Sequence, residues 1–276
     1  MVYEPCVHSA HEPFRRALEE ELGEPITCDG LTCAWSLLQR KRGHRHSTDD
    51  VLTAAYALEH GGAPDDATTL DLGAGIGTVG LLVLWGLGEG ARLVGVEAQE
   101  VSFRLFRENL RMNGLEARVS PVHGDLRTTT LGQRFPLVTG SPPYFDVKAG
   151  VVPSDSQKAH ARFELRGTVA DYALAARRAL TPDGRFVFCF PTPQKARALE
   201  GVRAAGLAIV TRRDVVPRAG LSPLFSLFAC RIASSAGADE VDPVEEPPFL
   251  VRDAGGGLSE AMRRVRARFG WPDSSR

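Results

Sequence analysis

Four clusters of residues in this chain have types and spacings that could do chemistry. Asp71 closes an apolar, β-branched run, and Gly73, Gly75 and Gly77 follow it at every second position. An apolar helical pattern then continues through Leu81, Leu82 and Leu84. That order predicts strand, tight turn and helix. Glycine suits the turn because it tolerates φ > 0 and lets the backbone approach a ligand. Glu97 closes a second apolar run, A-R-L-V-G-V-E, and Gly124–Asp125 closes a third, A-R-V-S-P-V-H. A fourth run, F-P-L-V-T-G, passes directly into Ser141-Pro142-Pro143-Tyr144.

Two ligands fit the glycine turn. Gly75, Gly77 and Gly80 spell G-x-G-x-x-G, which on its own is a weak dinucleotide signal. S-adenosylmethionine fits as well. It carries a sulfonium and an ammonium, and both favour a carboxylate such as Asp71. Ligand-free glycine turns of this kind also exist. An acid at the end of a second strand, here Glu97, is where a βαβ fold grips ribose hydroxyls of either ligand. Asp125 could accept from an adenine amino group. The two prolines fix φ and remove two donors, which predicts a rigid exit with the Pro142 carbonyl held out of the sheet's carboxyl edge.

The surrounding elements must carry these residues to one place. Residues 11–22 predict an amphipathic helix with Phe14, Leu18 and Leu22 on one face and Gly23 as its stop. Asp29-Gly30 between two short mixed runs is a hairpin signal. Residues 39–46, Q-R-K-R-G-H-R-H, form a solvated loop or a phosphate-contacting patch. Ser47 or Thr48 caps the next helix, whose first turn holds Asp49 and Asp50. A helix from Val101 to Met112 stops at Asn113-Gly114. Residues 145–166 read as a functional loop or lid. A helix over D-Y-A-L-A-A-R-R-A-L, a strand R-F-V-F-C-F, a helix after P-T-P-Q and two late strands follow. Residues 234–248, acidic and proline-rich, read as a mobile loop, and a helix capped by Ser259 ends the pattern. Its arginines, 263, 264, 266 and 268, are either solvated or in contact with nucleic acid. His8, His11, His44 and His46 are sparse and irregular, and are expected at the surface rather than on a metal.

Strands alternating with helices predict an α/β, doubly wound, Rossmann-like sheet, whose ligands bind outside the carboxyl ends of the strands. Residues 1–46 are expected as a helix and hairpin extension, and 47–276 as the main domain. Composition narrows the class. The 276 residues are 43% apolar with a formal net charge of −1, so any nucleic-acid partner needs a local patch. Five cysteines without C-x-x-C spacing argue against a disulfide framework or zinc and for a reducing, cytoplasmic setting. No apolar run is long enough to span a bilayer.

D-L-G-A-G-I-G, Glu97, Asp125 and S-P-P-Y, in this order, resemble a class I S-adenosylmethionine-dependent methyltransferase of the amino-group type. Within that class the chain is similar to the bacterial tRNA1(Val) adenine-N6 methyltransferases. The shared features run nearly end to end: H-S-T-D-D-V-L-T-A before the glycine turn, A-R-F-E-L-R-G after S-P-P-Y, then P-L-F-S-L-F-A, and F-L-V-R-D before L-S-E-A-M. The resemblance implies that Asp71, Gly73, Ala74, Gly75 and Gly77 surround the methionine part of the cofactor. It implies Glu97 and Ala98 at the ribose, Asp125 and Leu126 at the adenine, and Thr48 and Asp49 closing over the cofactor. Ser141, Pro142, Pro143 and Tyr144 would hold the target base, with Ser141 also beside the cofactor. No metal is implied, and tRNA or another RNA is the implied partner.

The expected chemistry explains the last motif. An exocyclic base amine is a poor nucleophile because its lone pair is delocalised into the ring. Accepting its two N–H bonds, by the Pro142 carbonyl and the residue-141 side chain, localises that lone pair. Tyr144 would stack on the base, worth ~1–3 kcal/mol. The family usually has Asn where this chain has Ser141, whose hydroxyl is a shorter and weaker acceptor. S-P-P-Y also occurs among methyltransferases acting on cytosine N4. The readings left open are adenine N6 in tRNA, a protein glutamine amide, a small-molecule amine, an NAD(P)-dependent oxidoreductase, and a non-catalytic RNA-binding scaffold.

Overall fold

The computed structural model describes residues 9–144, 167–234 and 242–271. The expected lid at 145–166 lies outside them. The chain opens with α1 (Glu12–Leu22), ended by Gly23 in the left-handed region at φ 66°. The hairpin β1 (Ile26–Gly30) and β2 (Ser36–Arg40) follows. Its turn is not at Asp29-Gly30. Asp29 lies inside β1, opposite Leu37, and its carboxylate accepts from Gln39 and Arg45. The chain reverses at residues 31–35, where Thr32 Oγ1 accepts from the amides of Ala34 and Trp35. A buried carboxylate with three donors, Thr27 included, outweighs the local turn preference of Asp-Gly.

α2 (Thr48–His60) starts at Ser47, with Asp50 closing a capping box. Then β3 (Thr68–Leu72), α3 (Thr78–Leu87), β4 (Arg92–Glu97), α4 (Glu100–Met112), β5 (Val119–His123) and β6 (Phe135–Gly140) alternate as expected. They are followed by α5 (Val169–Ala179), β7 (Leu180–Pro191), α6 (Lys195–Ala204), β8 (Leu207–Val216), β9 (Phe225–Ile232), β10 (Val244–Leu250) and α7 (Glu260–Arg268). Eight strands make one sheet in the order β10-β8-β9-β7-β6-β3-β4-β5. All its pairings are parallel except those of β9, which runs against β7 and β8.

The sheet is covered on both faces. Val187 and Cys189 of β7 join the core shared with α2, α3, α4 and the hairpin. Phe186, Phe188 and Phe190, one residue out of phase, join the core under α5 and α6. This is the period-two alternation of a strand buried on both sides. Phe188 stacks on Phe186 and Phe228, each with ring centroids 4.9 Å apart. Truncating such a fully buried ring costs about 3–5 kcal/mol.

The hairpin is bonded to the sheet through α4. Asn109 Oδ1 accepts from the Leu38 amide at 2.7 Å, and its Nδ2 donates to Ile76 O at 3.0 Å. Asn113 exchanges bonds with both backbone groups of Ser36. One buried side chain, Asn109, therefore joins the N-terminal hairpin to the glycine turn.

The acidic, proline-rich segment is not all loop. Residues 235–241 lie outside the described part, but Val244–Leu250 forms edge strand β10, parallel to β8. Pro247 and Pro248 fall at its register shift, and an edge strand tolerates their missing donors. Charge secures the edge. Arg212 pairs with Glu245, and Arg213 Nε lies 3.1 Å from Glu246, which also accepts from Tyr56 Oη at 2.9 Å. The cations stand on β8, out of view of any local pattern in the acidic run. No described helix is long and apolar enough to cross a membrane.

Candidate functional site

The carboxyl ends of β3, β4 and β6 open into one cleft enclosing about 990 Å³, solvent included. The glycine turn forms its floor. Gly73, Gly75 and Gly77 have φ of 64°, 58° and 99°. The Ala74 amide donates to Val96 O at 2.9 Å, and the Gly75 amide to Glu97 Oε2 at 2.8 Å. The turn is thus stitched to the end of β4. At Gly75 an added Cβ would meet nothing within 4 Å, and the residue borders the cleft, so its backbone is bare to a ligand. At Gly73 a Cβ would sit 2.1 Å from Tyr172 Oη, and at Gly77 2.6 Å from the Phe106 ring. Those two glycines admit close packing, and Gly75 admits close approach.

Three acids face the cleft: Asp50, Asp71 and Glu97. Asp71 is buried, and its oxygens accept from Thr139 Oγ1 at 2.8 Å and the Gly80 amide at 3.0 Å. Burial raises its pKa to about 6, partly opposed by those two bonds. Asp50 is pushed well above the ordinary carboxylate range, by burial first and by Asp49 next. Glu97 Oε1 accepts from the Gln99 amide at 2.7 Å, so both its oxygens meet backbone donors. A cleft with three acids at its wall suits a cationic ligand head.

The proline corner, at the end of β6, borders the same cleft. Ser141 and Pro143 border the cleft, while Pro142 is buried. Ser141 Oγ lies 3.8 Å from Cys189 Sγ. Tyr144 Oη donates to Asp49 Oδ2 at 2.7 Å and lies 3.2 Å from the same sulfur. Its ring meets Phe190 edge-on, with centroids 6.0 Å apart. Burial pushes the Cys189 thiol up to about 12 and raises the Tyr144 phenol, so both stay protonated at neutral pH.

Of the residues expected at the site, Asp71, Gly73, Ala74, Gly75, Glu97, Ala98, Leu126, Ser141 and Pro143 border the cleft. Gly77 stands behind the turn, against Phe106. Thr48 is not at the cleft wall, and Asp49 is turned to Tyr144 and Ser47. Asp125 is also off the wall; its carboxylate takes Arg127 Nε at 2.9 Å, leaving Gly124 and Leu126 to line that side. Tyr144 does not line the cleft either; its hydroxyl is bonded to Asp49.

Other lining residues had no sequence signal. Tyr172, from the first turn of α5, lies under Gly73 and Gly140 and reads in sequence as an ordinary helix face. His44 and His46 border the cleft, and His46 is 2% exposed, contrary to the expected surface position. The hairpin folds its trailing segment inward, where Gln39 Oε1 accepts from the His46 amide at 2.9 Å. Burial lowers the His46 pKa to about 4, so the ring is neutral at pH 7. Two cations of the basic run before it are engaged in the fold, while Lys41 and Arg42 are exposed. Arg40 binds Glu24, and Arg45 donates to Thr27 and Asp29. The arginines of α7 are likewise engaged, Arg264 with Glu260 and Arg266 over Trp271 at 4.6 Å.

The profile of the methyltransferase small domain family matches residues 53–199, more than half of the chain. A tRNA1(Val) (adenine(37)-N6)-methyltransferase of Actinobacillus pleuropneumoniae is 25% identical over 224 residues, 81% of this chain and 89% of that protein. One from Porphyromonas gingivalis is 28% identical over 152 residues, 53% of this chain and 58% of that protein. The crystal structure of a predicted O-methyltransferase from Agrobacterium tumefaciens superposes with a TM-score of 0.58 at 19% identity, over 82% of this chain and 98% of that one. At that identity the superposition speaks for the fold. The oxidoreductase reading of G-x-G-x-x-G falls with the family match. A turn tied to Glu97, bare backbone at Gly75 and acids around a cleft suit the charge and shape of S-adenosylmethionine, and the chain belongs to the methyltransferase small domain family of class I enzymes that depend on it.

Proposed function

We propose that the protein transfers a methyl group from S-adenosylmethionine to an exocyclic base amine, adenine N6 in tRNA. The observation that carries this reading is that Ser141 and Pro143 border the same cleft as the glycine turn and Glu97. Donor and acceptor walls are therefore continuous. The tRNA1(Val) methyltransferases similar to this chain, which act on an adenine amine, favour the same acceptor.

In this reading Gly73, Ala74 and Gly75 form the bed for the methionyl part of the donor, with Gly77 supporting it from behind and Asp71 bracing it through Gly80. Thr48 and Asp49 close over the donor only once Asp49 leaves Tyr144, its partner in this structure. Glu97 and Ala98 hold the ribose. Leu126 packs on the adenine, and Asp125, bonded to Arg127 in this structure, meets its amino group only after leaving that partner. When bound, the donor supplies an electrophilic methyl group on sulfur. Ser141 Oγ and the Pro142 carbonyl accept the amine's two N–H bonds and return its lone pair to nitrogen. The N–CH3 bond forms as the S–CH3 bond breaks, and one amine proton leaves to solvent. Tyr144, bonded to Asp49 and packed edge-on to Phe190 in this structure, supplies the stacking ring only after turning to the cleft. Alignment and fixed dipoles are the main source of rate. Residues 1–46 are the extension and 47–276 the catalytic domain in this reading, with Ser36 and Leu38 of the hairpin docked on Asn113 and Asn109. A cytoplasmic setting agrees with the free thiols of Cys33, Cys189 and Cys230.

The test is incubation of the protein with labelled donor and total bacterial RNA or protein, then digestion and mass spectrometry. N6-methyladenosine in the tRNA fraction is the expected product. N4-methylcytosine would move the acceptor to another base. A second reading, a glutamine side-chain amide in a protein, has one observation in its favour. Arg40, Arg45, Arg127, Arg212 and Arg213 are all paired to acids, which thins the basic surface an RNA would need. Label in protein alone would select that reading.

A further inference from the structure

The two acids that open α2 go to different places. Asp49 turns to Tyr144, whereas Asp50 borders the cleft. Asp50 is 9% exposed, and its Oδ2 accepts from the Ser47 amide at 2.9 Å. No described residue donates to its Oδ1. By contrast, both oxygens of Asp71 and both of Glu97 already accept hydrogens from the protein. Asp50 is thus the cleft acid with an acceptor oxygen to spare. A desolvated carboxylate with such an oxygen, at the wall of a cleft for a ligand bearing an ammonium and a sulfonium, meets that ligand's charge directly.

We propose that Asp50 is a donor-binding residue, that it holds the cationic methionyl end of S-adenosylmethionine, and that its ionisation makes donor binding proton-linked. The proposal rests on the cofactor and not on the identity of the acceptor.

The groups around Asp50 set the sign of the linkage. Asp49 and Ser47 flank it on its own segment. Asp71 from β3 and Glu97 from β4 share the cleft, with His44 and His46 from the approach to α2. Cys189 of β7, with Tyr144 beside it, lies on the far side. Burial, Asp49 and Asp71 all favour the protonated Asp50. His46, lowered to about 4, is neutral through the same range, and Cys189 and Tyr144 keep their protons. Arrival of a cation therefore expels a proton from the carboxyl group, and affinity falls as pH falls.

Isothermal titration of the full chain with S-adenosylmethionine, in buffers of different ionisation enthalpy between pH 5.5 and 8, reads both affinity and protons released. Asp50→Asn keeps an oxygen for the Ser47 amide and removes only the charge. The expected result is roughly tenfold weaker binding, the scale of one charge-assisted hydrogen bond, with a smaller proton release and a flatter pH profile. S-adenosylhomocysteine, which lacks the sulfonium, should lose less. If Asp50→Asn binds within twofold of the wild type and releases the same protons, Asp50 only caps α2 and the proposal is overturned. Should that variant not fold, Asp50→Ser, which also offers an oxygen to Ser47, decides by the same two readouts. A wild type that binds no donor would overturn the proposal together with the cofactor.

Discussion

Tyr144 and Asp49, 95 residues apart in sequence, are joined by a hydrogen bond of 2.7 Å, and that bond ties the proline corner to the first turn of α2. Tyr144→Phe removes the bond and leaves the ring. It should cost about 1–2 kcal/mol in denaturant unfolding, because a charged acceptor loses its donor. Methyl-transfer kcat/KM should fall only a few-fold in the Phe variant, since the ring alone stacks. Tyr144→Ala should lower it by about 10–100-fold, the range of one base-stacking contact. Equal losses in the two variants would show that the hydroxyl, not the ring, is what the acceptor needs.

Glycines 73 and 75 should respond differently to alanine. Both hold positive φ, which costs an alanine about 1–2 kcal/mol. Only Gly73 also places the new Cβ 2.1 Å from Tyr172 Oη, and Tyr172 is 7% exposed and has no room to withdraw. Gly73→Ala should therefore lower the unfolding midpoint much more. Gly75→Ala should fold and lose donor affinity, measured by titration calorimetry, because it adds a methyl group where bare backbone borders the cleft.

Asp71 imposes a pH dependence on the donor-free protein. Its pKa rises from 3.8 to about 6 on folding, chiefly through burial. The folded state thus binds the proton more tightly than the unfolded state. The resulting stabilisation is full below about pH 3.8 and is lost as pH rises through about 6. The expected size is roughly 3 kcal/mol between those limits. Urea unfolding of wild type and Asp71→Asn at pH 4, 5, 6 and 7 should show the wild type losing stability relative to the variant as pH increases.

Asn109 is the clearest test of the docking between hairpin and turn. Asn109→Ala strands the buried Leu38 amide and the Ile76 carbonyl. An expected loss of about 2–4 kcal/mol follows from orphaning two buried groups. Donor affinity should fall as well, because Ile76 belongs to the glycine turn. Asn113→Ala, nearer the surface, should cost less.

In the proposed reaction Ser141 stands on the acceptor side, where it borders the cleft. Ser141→Asn supplies an amide carbonyl, a stronger and longer acceptor for an N–H bond. If the acceptor is adenine N6, single-turnover methylation should quicken in the Asn variant and slow about tenfold in Ser141→Ala, the loss of one hydrogen bond. An Asn variant slower than the Ala variant would point to an acceptor smaller than adenine.

The local sequence determined the elements that depend on near neighbours. The strand, glycine turn and helix around Asp71, the capping box at Ser47, the stop at Asn113-Gly114 and the cap at Ser259 all follow from side chains within a few residues of one another. The alternation of strands and helices was enough to set the doubly wound class and to send Asp71, Glu97 and Ser141 to one sheet edge. Tertiary structure decided whatever depends on a distant partner. β10 forms by pairing with β8, and only that pairing brings Arg212 and Arg213 to Glu245 and Glu246. The inward turn of His46, the place of Tyr172 under Gly73, and the separation of Asp49 from Asp50 depend on how α2, α5 and the hairpin pack on the sheet. Neighbouring residues in a helix point about 100° apart, so two adjacent acids look alike in sequence until packing shows which one faces the cleft.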